Sequence, residues 1–217
     1  MCPFKPPRGW SYEFYGIGVL STNILMKKTI QLEELAGQEV KPADKGLTIV
    51  YTGEGKGKTT AALGLALRAA GYKKKVLIYQ FGKVWFTGEK AGVKMLKPYV
   101  KLVSRGISFV GIIDDSSSFE DHVKVMQESF EEVYQEVLSD KWDVVIIDEI
   151  VGAVAGKLIK TEQLIKLVQD KPERLDLVLT GHHAKKTLYK YVDLVTEMVE
   201  IKHPFQKGIL AKPSIDY

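Results

Sequence analysis

One stretch constrains this chain more than any other. Gly53-Glu54-Gly55-Lys56-Gly57-Lys58 has glycine at every second position and is too glycine-rich for a strand or a helix interior. Before it, Leu47 to Tyr51 is a short apolar run with β-branched residues, which predicts a buried parallel strand. After it, Thr59 to Ala70 is a strong helical stretch that stops at Gly71. Strand, glycine loop and helix start together are the context of a phosphate-binding loop. The glycines let backbone N–H groups turn inward, and the helix start adds free N–H groups and the positive end of its dipole. Lys58, expected to be exposed in the loop, then supplies a point charge to a phosphate, and the Thr59 hydroxyl is placed for Mg²⁺.

The loop departs from the usual pattern of glycine, four residues, then Gly-Lys-Ser/Thr. Counting back from Gly57-Lys58, the first glycine belongs at position 52, which is Thr52. Gly53 comes one position late, so the loop is one residue short, and it carries an extra lysine, Lys56. A shorter loop cradles its phosphates differently from that of an ordinary kinase or GTPase. The bland alternative is a glycine-rich turn with two solvated lysines, but the flanking strand and helix argue against it.

A chain of 217 residues suits one domain with a sizeable core. The net charge of +4 suits an anionic small ligand and is weak support for nucleic acid. Cys2 is the only cysteine, so no internal disulfide or cysteine metal cluster is expected, and a reducing cytoplasm is the default. No apolar run approaches the roughly 20 residues of a membrane span. Residues 1–25, with Pro3, Pro6, Pro7, Trp10 and Phe14, read as an irregular extension. Met26, followed by Lys27-Lys28, is a candidate start of the functional protein. Residues 26–45 read as a short helix and a polar linker, and 46–217 as the main domain.

Further strands are expected at Val76–Phe81, Val100–Val103, Ser108–Ile112, Leu175–Thr180 and Leu194–Lys202. Helices are expected at Lys160–Asp170 and Ala184–Tyr191. Phe119, Val123, Met126, Phe130, Val133 and Val137 recur at helical spacing behind Ser118, a plausible N-cap. Lys73-Lys74-Lys75 reads as a solvated edge before a strand, and the aromatics around Trp85 as packing or ligand contact. Strands alternating with helices give an α/β fold, a P-loop NTPase-like doubly wound, mostly parallel sheet flanked by helices.

Trp142 to Ile150 is the second informative stretch. Val144, Val145, Ile146 and Ile147 predict a central strand, with Asp148 and Glu149 at its carboxyl end. In a P-loop protein an acidic residue there holds Mg²⁺ directly or through water. Neighbours on a strand point to opposite sides, so at most one of the two is expected to aim at the loop. His182 and His183 end another strand. They are able to reach phosphate, but without a third ligand they do not read as a zinc site.

The combination resembles the P-loop type of ATP:corrinoid adenosyltransferase. Thr52 to Gly64 looks like that family's short loop, with Arg68-Ala69 following. Gln80-Phe81, Lys83 and Gly88-Glu89 look like its second strand and loop, and Trp142 to Ile150 like its acidic strand. Leu179-Thr180-Gly181, Asp193 to Met198, Lys202 to Phe205, Gly208 and Ile215-Asp216-Tyr217 match its end, so the likeness covers roughly residues 45–217. Three departures stand out. His182 takes the place of the family's Arg. Ile107 and Phe109 stand where the family has a Phe and a Trp over the corrin. The tail Ala211 to Ser214 lacks the usual Gln and Gly.

The resemblance implies transfer of the 5′-deoxyadenosyl group of ATP to the Co(I) of a corrinoid, with triphosphate released. Gly53, Glu54, Gly55, Lys56, Gly57, Lys58, Thr59, Thr60, Arg68 and His182 would then serve ATP. Ile107 and Phe109, with the Trp85 region, would cover the corrin. Lys58, Thr59 and Glu149 would carry the chemistry, with Mg²⁺ on Thr59, Glu149 and Asp148. It also implies a homodimer and a flavoprotein reductant, with neither nucleic acid nor membrane as partner. A small-molecule kinase would need a full-length loop and an acceptor base. A nucleotide-gated or nucleic-acid-binding ATPase would need a basic patch.

Overall fold

A computed structural model describes residues 45–83, 85–106 and 118–217. The expected extension and linker before residue 45, the strand at 108–112, and Ile107 and Phe109 lie outside the described residues.

Six described strands form one sheet: β1 Thr48–Thr52, β2 Val76–Phe81, β3 Val100–Arg105, β4 Val144–Asp148, β5 Asp176–Thr180 and β6 Leu194–Glu197. Their order is β3-β2-β4-β5-β1-β6, and every pairing is parallel. The helices are α1 Lys58–Gly71, α2 Gly88–Gly92, α3 Phe119–Leu138, α4 Ile150–Ala155 and α5 Thr161–Asp170. The expected doubly wound parallel sheet is what forms.

The two faces of the sheet are read directly from the period of two along β2. Val76 and Ile78 pack with α1, whereas Leu77, Tyr79 and Phe81 join the core on the opposite face. Against the first face α1 lays Ala62, Ala66, Ala69 and Ala70, so a thin side-chain layer brings the helix close to the strands. Against the other face α3 sets Met126, Phe130, Val133 and Val137. Its expected stripe begins late, because Phe119 is 46% exposed. Ser118 caps this helix as expected, accepting from Asp121 N at 3.1 Å, while its own N–H donates to the Asp121 carboxylate at 3.2 Å.

The acidic strand ends at Asp148, as expected, and Ile150 already belongs to α4. Other boundaries differ from expectation: β3 runs past Val103 to Arg105. Residues 184–191 make only a 3₁₀ turn at Leu188–Tyr191. β6 stops at Glu197 instead of running to 202, for a simple reason. It pairs with β1 alone, and the register Thr52↔Glu197 exhausts that partner.

Leu177, on β5, is fully buried. Leu177→Ala should lower unfolding free energy by about 2–5 kcal/mol in urea denaturation. A loss below about 1 kcal/mol would contradict its place in the core.

Candidate active site

The carboxyl ends of β1, β2, β4 and β5 converge on the start of α1, where an open parallel sheet presents its ligand crevice. Gly53 and Gly57 have φ of 97° and 116°, a region that tolerates little but glycine. Glycine is required at Gly53 for a second reason: a Cβ there would come within 2.4 Å of Met198 O. Gly55 donates to the same carbonyl at 2.7 Å, and Met198 N donates to Thr52 O at 2.8 Å. The shortened loop is therefore braced from outside by the chain leaving β6. Ala61 N to Gly57 O is the first backbone bond of α1. The amides of Lys58, Thr59 and Thr60 precede it and face out of the helix end, a ready anion cradle.

Sequence reasoning places Lys58 in an exposed loop, and the structure corrects this. Lys58 is the first residue of α1 and only 5% exposed. Its ammonium donates to Gly53 O at 2.7 Å and Gly55 O at 2.9 Å. Burial lowers its pKa, against the opposing pull of Glu149, Glu54 and Asp148. The charge is thus folded back on the loop, in the space an anion would enter.

Asp148 is the hub of the site. It is 1% exposed, and its Oδ1 accepts from the hydroxyls of Thr59 at 2.9 Å and Thr180 at 2.7 Å. Its Oδ2 accepts from the Lys83 ammonium at 2.7 Å and from Gln80 Nε2 at 3.2 Å. Glu149 does not follow the strand alternation expected of it. Its φ of 66° turns the chain left-handed at the end of β4, and its N–H donates to the Thr180 hydroxyl at 3.0 Å. Both acidic residues therefore reach the site: Asp148 meets Thr59, while Glu149 lines the cavity beside Lys58 and Thr59. A non-glycine residue in this conformation stores backbone strain of order 1–3 kcal/mol.

The cavity over the loop has a volume of about 410 Å³, within the range of small-ligand sites. Lys56, Thr60, His182 and Glu149 line it together with Asp216 and Tyr217 from the carboxyl-terminal tail. Lys56 is 2.5 Å from the Asp216 carboxylate, which holds Asp216 below the usual range. Glu54 sits between the two histidines, 3.4 Å from His182 Nδ1 and 3.1 Å from His183 Nδ1. Arg68 is exposed and lies ten residues along α1 from Lys58, a rise of about 15 Å, away from the cavity lining. Trp85 and Phe86 are 42% and 73% exposed.

Sequence reasoning gave no role to Gln80, Lys83 or Thr180, which complete the site. The signal was available for Gln80: one amide interrupts the otherwise apolar run Val76–Phe81, yet it is fully buried. It donates to Glu89 at 3.1 Å as well as to Asp148, and accepts from Ser104 at 3.2 Å.

The family described as ATP:corrinoid adenosyltransferase BtuR/CobO/CobP matches residues 44–217. This chain belongs to the ATP:corrinoid adenosyltransferase family. It is 31% identical over 179 residues to the corrinoid adenosyltransferase of Escherichia coli K12, covering 80% of this chain and 87% of that one. The corrinoid adenosyltransferase of a Sinorhizobium species is 32% identical, covering 82% and 83%. Corrinoid adenosyltransferase CobA of Salmonella typhimurium LT2 is 30% identical, covering 80% and 87%. Among solved structures, the RadB recombinase aligns with a TM-score of 0.44 at 18% identity, over 80% of this chain and 82% of that one, too remote to argue from.

Burial, then the neighbouring Asp148 charge, hold the Glu149 carboxyl above its usual pKa. The folded protein keeps this proton at pH values where the unfolded chain has lost it. Stability attributable to Glu149 therefore falls as pH rises from the ordinary glutamate range through the folded value. Glu149→Gln should be more stable than the parent at neutral pH in thermal melts, and the gap should close as pH falls below about 4. A gap that ignores pH would contradict the burial of this charge.

Proposed function

We propose that this adenosyltransferase moves the 5′-deoxyadenosyl group of ATP to the Co(I) of a reduced corrinoid and releases triphosphate. Family membership over residues 44–217 supports the reaction. The single observation that carries the residue assignment is the cluster of buried Lys58 and Asp148 with the half-buried Thr59 at a short phosphate loop.

The electron pair comes from cobalt. A Co–C5′ bond forms as the C5′–O bond breaks, and the electrons of that bond leave with triphosphate. No side chain has to remove a proton, so the protein's contribution is position and electrostatics. Lys58 leaves the loop carbonyls for a phosphate oxygen as the polyphosphate enters, while the amides of Lys58 to Thr60 take other oxygens. Gly53 to Gly57 shape the cradle. Lys56, released from Asp216, and His182 lie on the cavity wall to meet the same chain of phosphates. The likeness to the family implies a nucleotide lying reversed relative to ordinary P-loop enzymes, with C5′ open to the corrinoid, and the short loop fits that placement.

Thr59 and Asp148 are hard oxygen donors 2.9 Å apart, with Glu149 beside them. That small donor set fits Mg²⁺, which keeps several waters and completes its shell with phosphates. When bound there, the ion offsets negative charge on the departing triphosphate. The same reading takes Ile107, Phe109 and Trp85 as a cover for the corrin, a flavoprotein as reductant, a homodimer as the assembly and the cytoplasm as the place of action.

The test is anaerobic incubation with ATP, Mg²⁺ and cob(I)alamin, read by the spectrum of a cobalt–carbon bond and by product analysis. Triphosphate is expected; ADP would mean a kinase. Lys58→Ala should reduce adenosylation by about 10²-fold or more. It should also destabilise the fold by about 1–3 kcal/mol, since two buried loop carbonyls lose their donor. Triphosphate release that survives this change would overturn the role of Lys58.

A further inference from the structure

Lys83 has a position that the transfer reaction does not by itself explain. It follows β2 by two residues, beyond Gly82, and its side chain is 15% exposed. Its ammonium donates to Asp148 Oδ2 at 2.7 Å and to the Thr59 hydroxyl at 3.1 Å. These are the two groups assigned to the divalent cation above. The Thr59 hydroxyl, while accepting from Lys83, donates to Asp148 Oδ1. One ammonium thus caps both donors of the cation site from the cavity side, and Lys83 itself lines that cavity.

The surroundings hold the backbone of Lys83 in place, and its side chain reaches the carboxylate from the cavity side. Lys90 donates from its ammonium to Lys83 O at 2.8 Å and to Trp85 O at 2.6 Å, which holds these two carbonyls to one group. Two of the other donors to Asp148, the Thr180 hydroxyl and the Gln80 amide, are buried groups on strands and have nowhere to go. Of the four donors to this carboxylate, Lys83 alone combines a full charge with a long flexible stem reaching in from the cavity. A carboxylate that is 1% exposed needs a counter-charge, and Lys83 supplies it in the ligand-free protein.

We propose that Lys83 is a resident counter-ion which exchanges with the divalent cation: it neutralises Asp148 in the empty site and moves to the polyphosphate when metal and nucleotide enter. Each anionic group keeps a cationic partner through the exchange. Asp148 trades an ammonium for a metal ion, and the incoming anion acquires a third lysine beside Lys58 and Lys56. The inference rests on the cation placement under the proposed function and adds to it a competition that can be measured without turnover.

The experiment measures two affinities on the nucleotide-free protein. Mn²⁺ alone is titrated by electron paramagnetic resonance, and inorganic tripolyphosphate alone is titrated calorimetrically in a metal chelator. Lys83→Met should bind Mn²⁺ roughly tenfold more tightly than the parent, because its competitor is gone, and tripolyphosphate roughly tenfold more weakly. Lys83→Arg keeps the charge and should stay near the parent in both titrations. A merely structural lysine would lower both affinities in Lys83→Met, and that result, or no change in Mn²⁺ affinity, overturns the exchange. Asp148→Asn separates the two ideas: Mn²⁺ binding that survives it undamaged overturns the cation placement itself. Circular dichroism of each variant confirms that the titrated protein is folded.

Discussion

The structure depends on one buried carboxylate whose oxygens are fully subscribed. Asp148 accepts from Thr59 at the start of α1, Gln80 on β2, Lys83 after β2 and Thr180 on β5. Four separate segments are thereby registered on the end of β4. A charge this deep is tolerated only with its hydrogen bonds satisfied and a counter-charge close by, and both conditions hold. The same arrangement that makes the carboxylate tolerable in the fold gathers the phosphate loop, an ammonium and two hydroxyls within reach of one cavity.

A second constraint acts on the loop from the other side. β6 lies next to β1 and outlasts it by no residue, so the chain beyond Glu197 is released from the ladder. Met198 uses that freedom to bond both Thr52 and Gly55, and its backbone occupies the space a side chain at Gly53 would need. The glycines are thus demanded twice, by left-handed backbone at Gly53 and by close packing against β6. The tail returns to the same place, where Asp216 pairs with Lys56. In the absence of ligand, each loop cation is satisfied internally: Lys58 by carbonyls and Lys56 by a carboxylate.

The fold was legible because its signals are periodic. Val144 to Ile147 announce a central strand, and Ala62, Ala66 and Ala69 share one helical face. The glycine loop between such elements leaves little choice of architecture. The burial of Lys58 was not legible, because a lysine beside glycines reads as solvated until its two carbonyl acceptors are known. The direction of Glu149 was not legible for a similar reason. Strand alternation predicts opposite directions for neighbours, and only the left-handed turn at 149 brings both carboxylates to one side. Gln80 and Lys83 carried the family likeness but no role, because Asp148, the partner that gives them one, lies 65 or more residues away. No local pattern encodes that distance.

The measurement closest to the centre of this account is a crystal structure with Mg²⁺ and a non-reacting ATP analogue. The account predicts triphosphate oxygens on Lys58 Nζ and the amides of residues 58–60, with C5′ facing the open side of the cavity. A terminal phosphoryl group presented outward, with the ribose enclosed away from any neighbouring space, would contradict it.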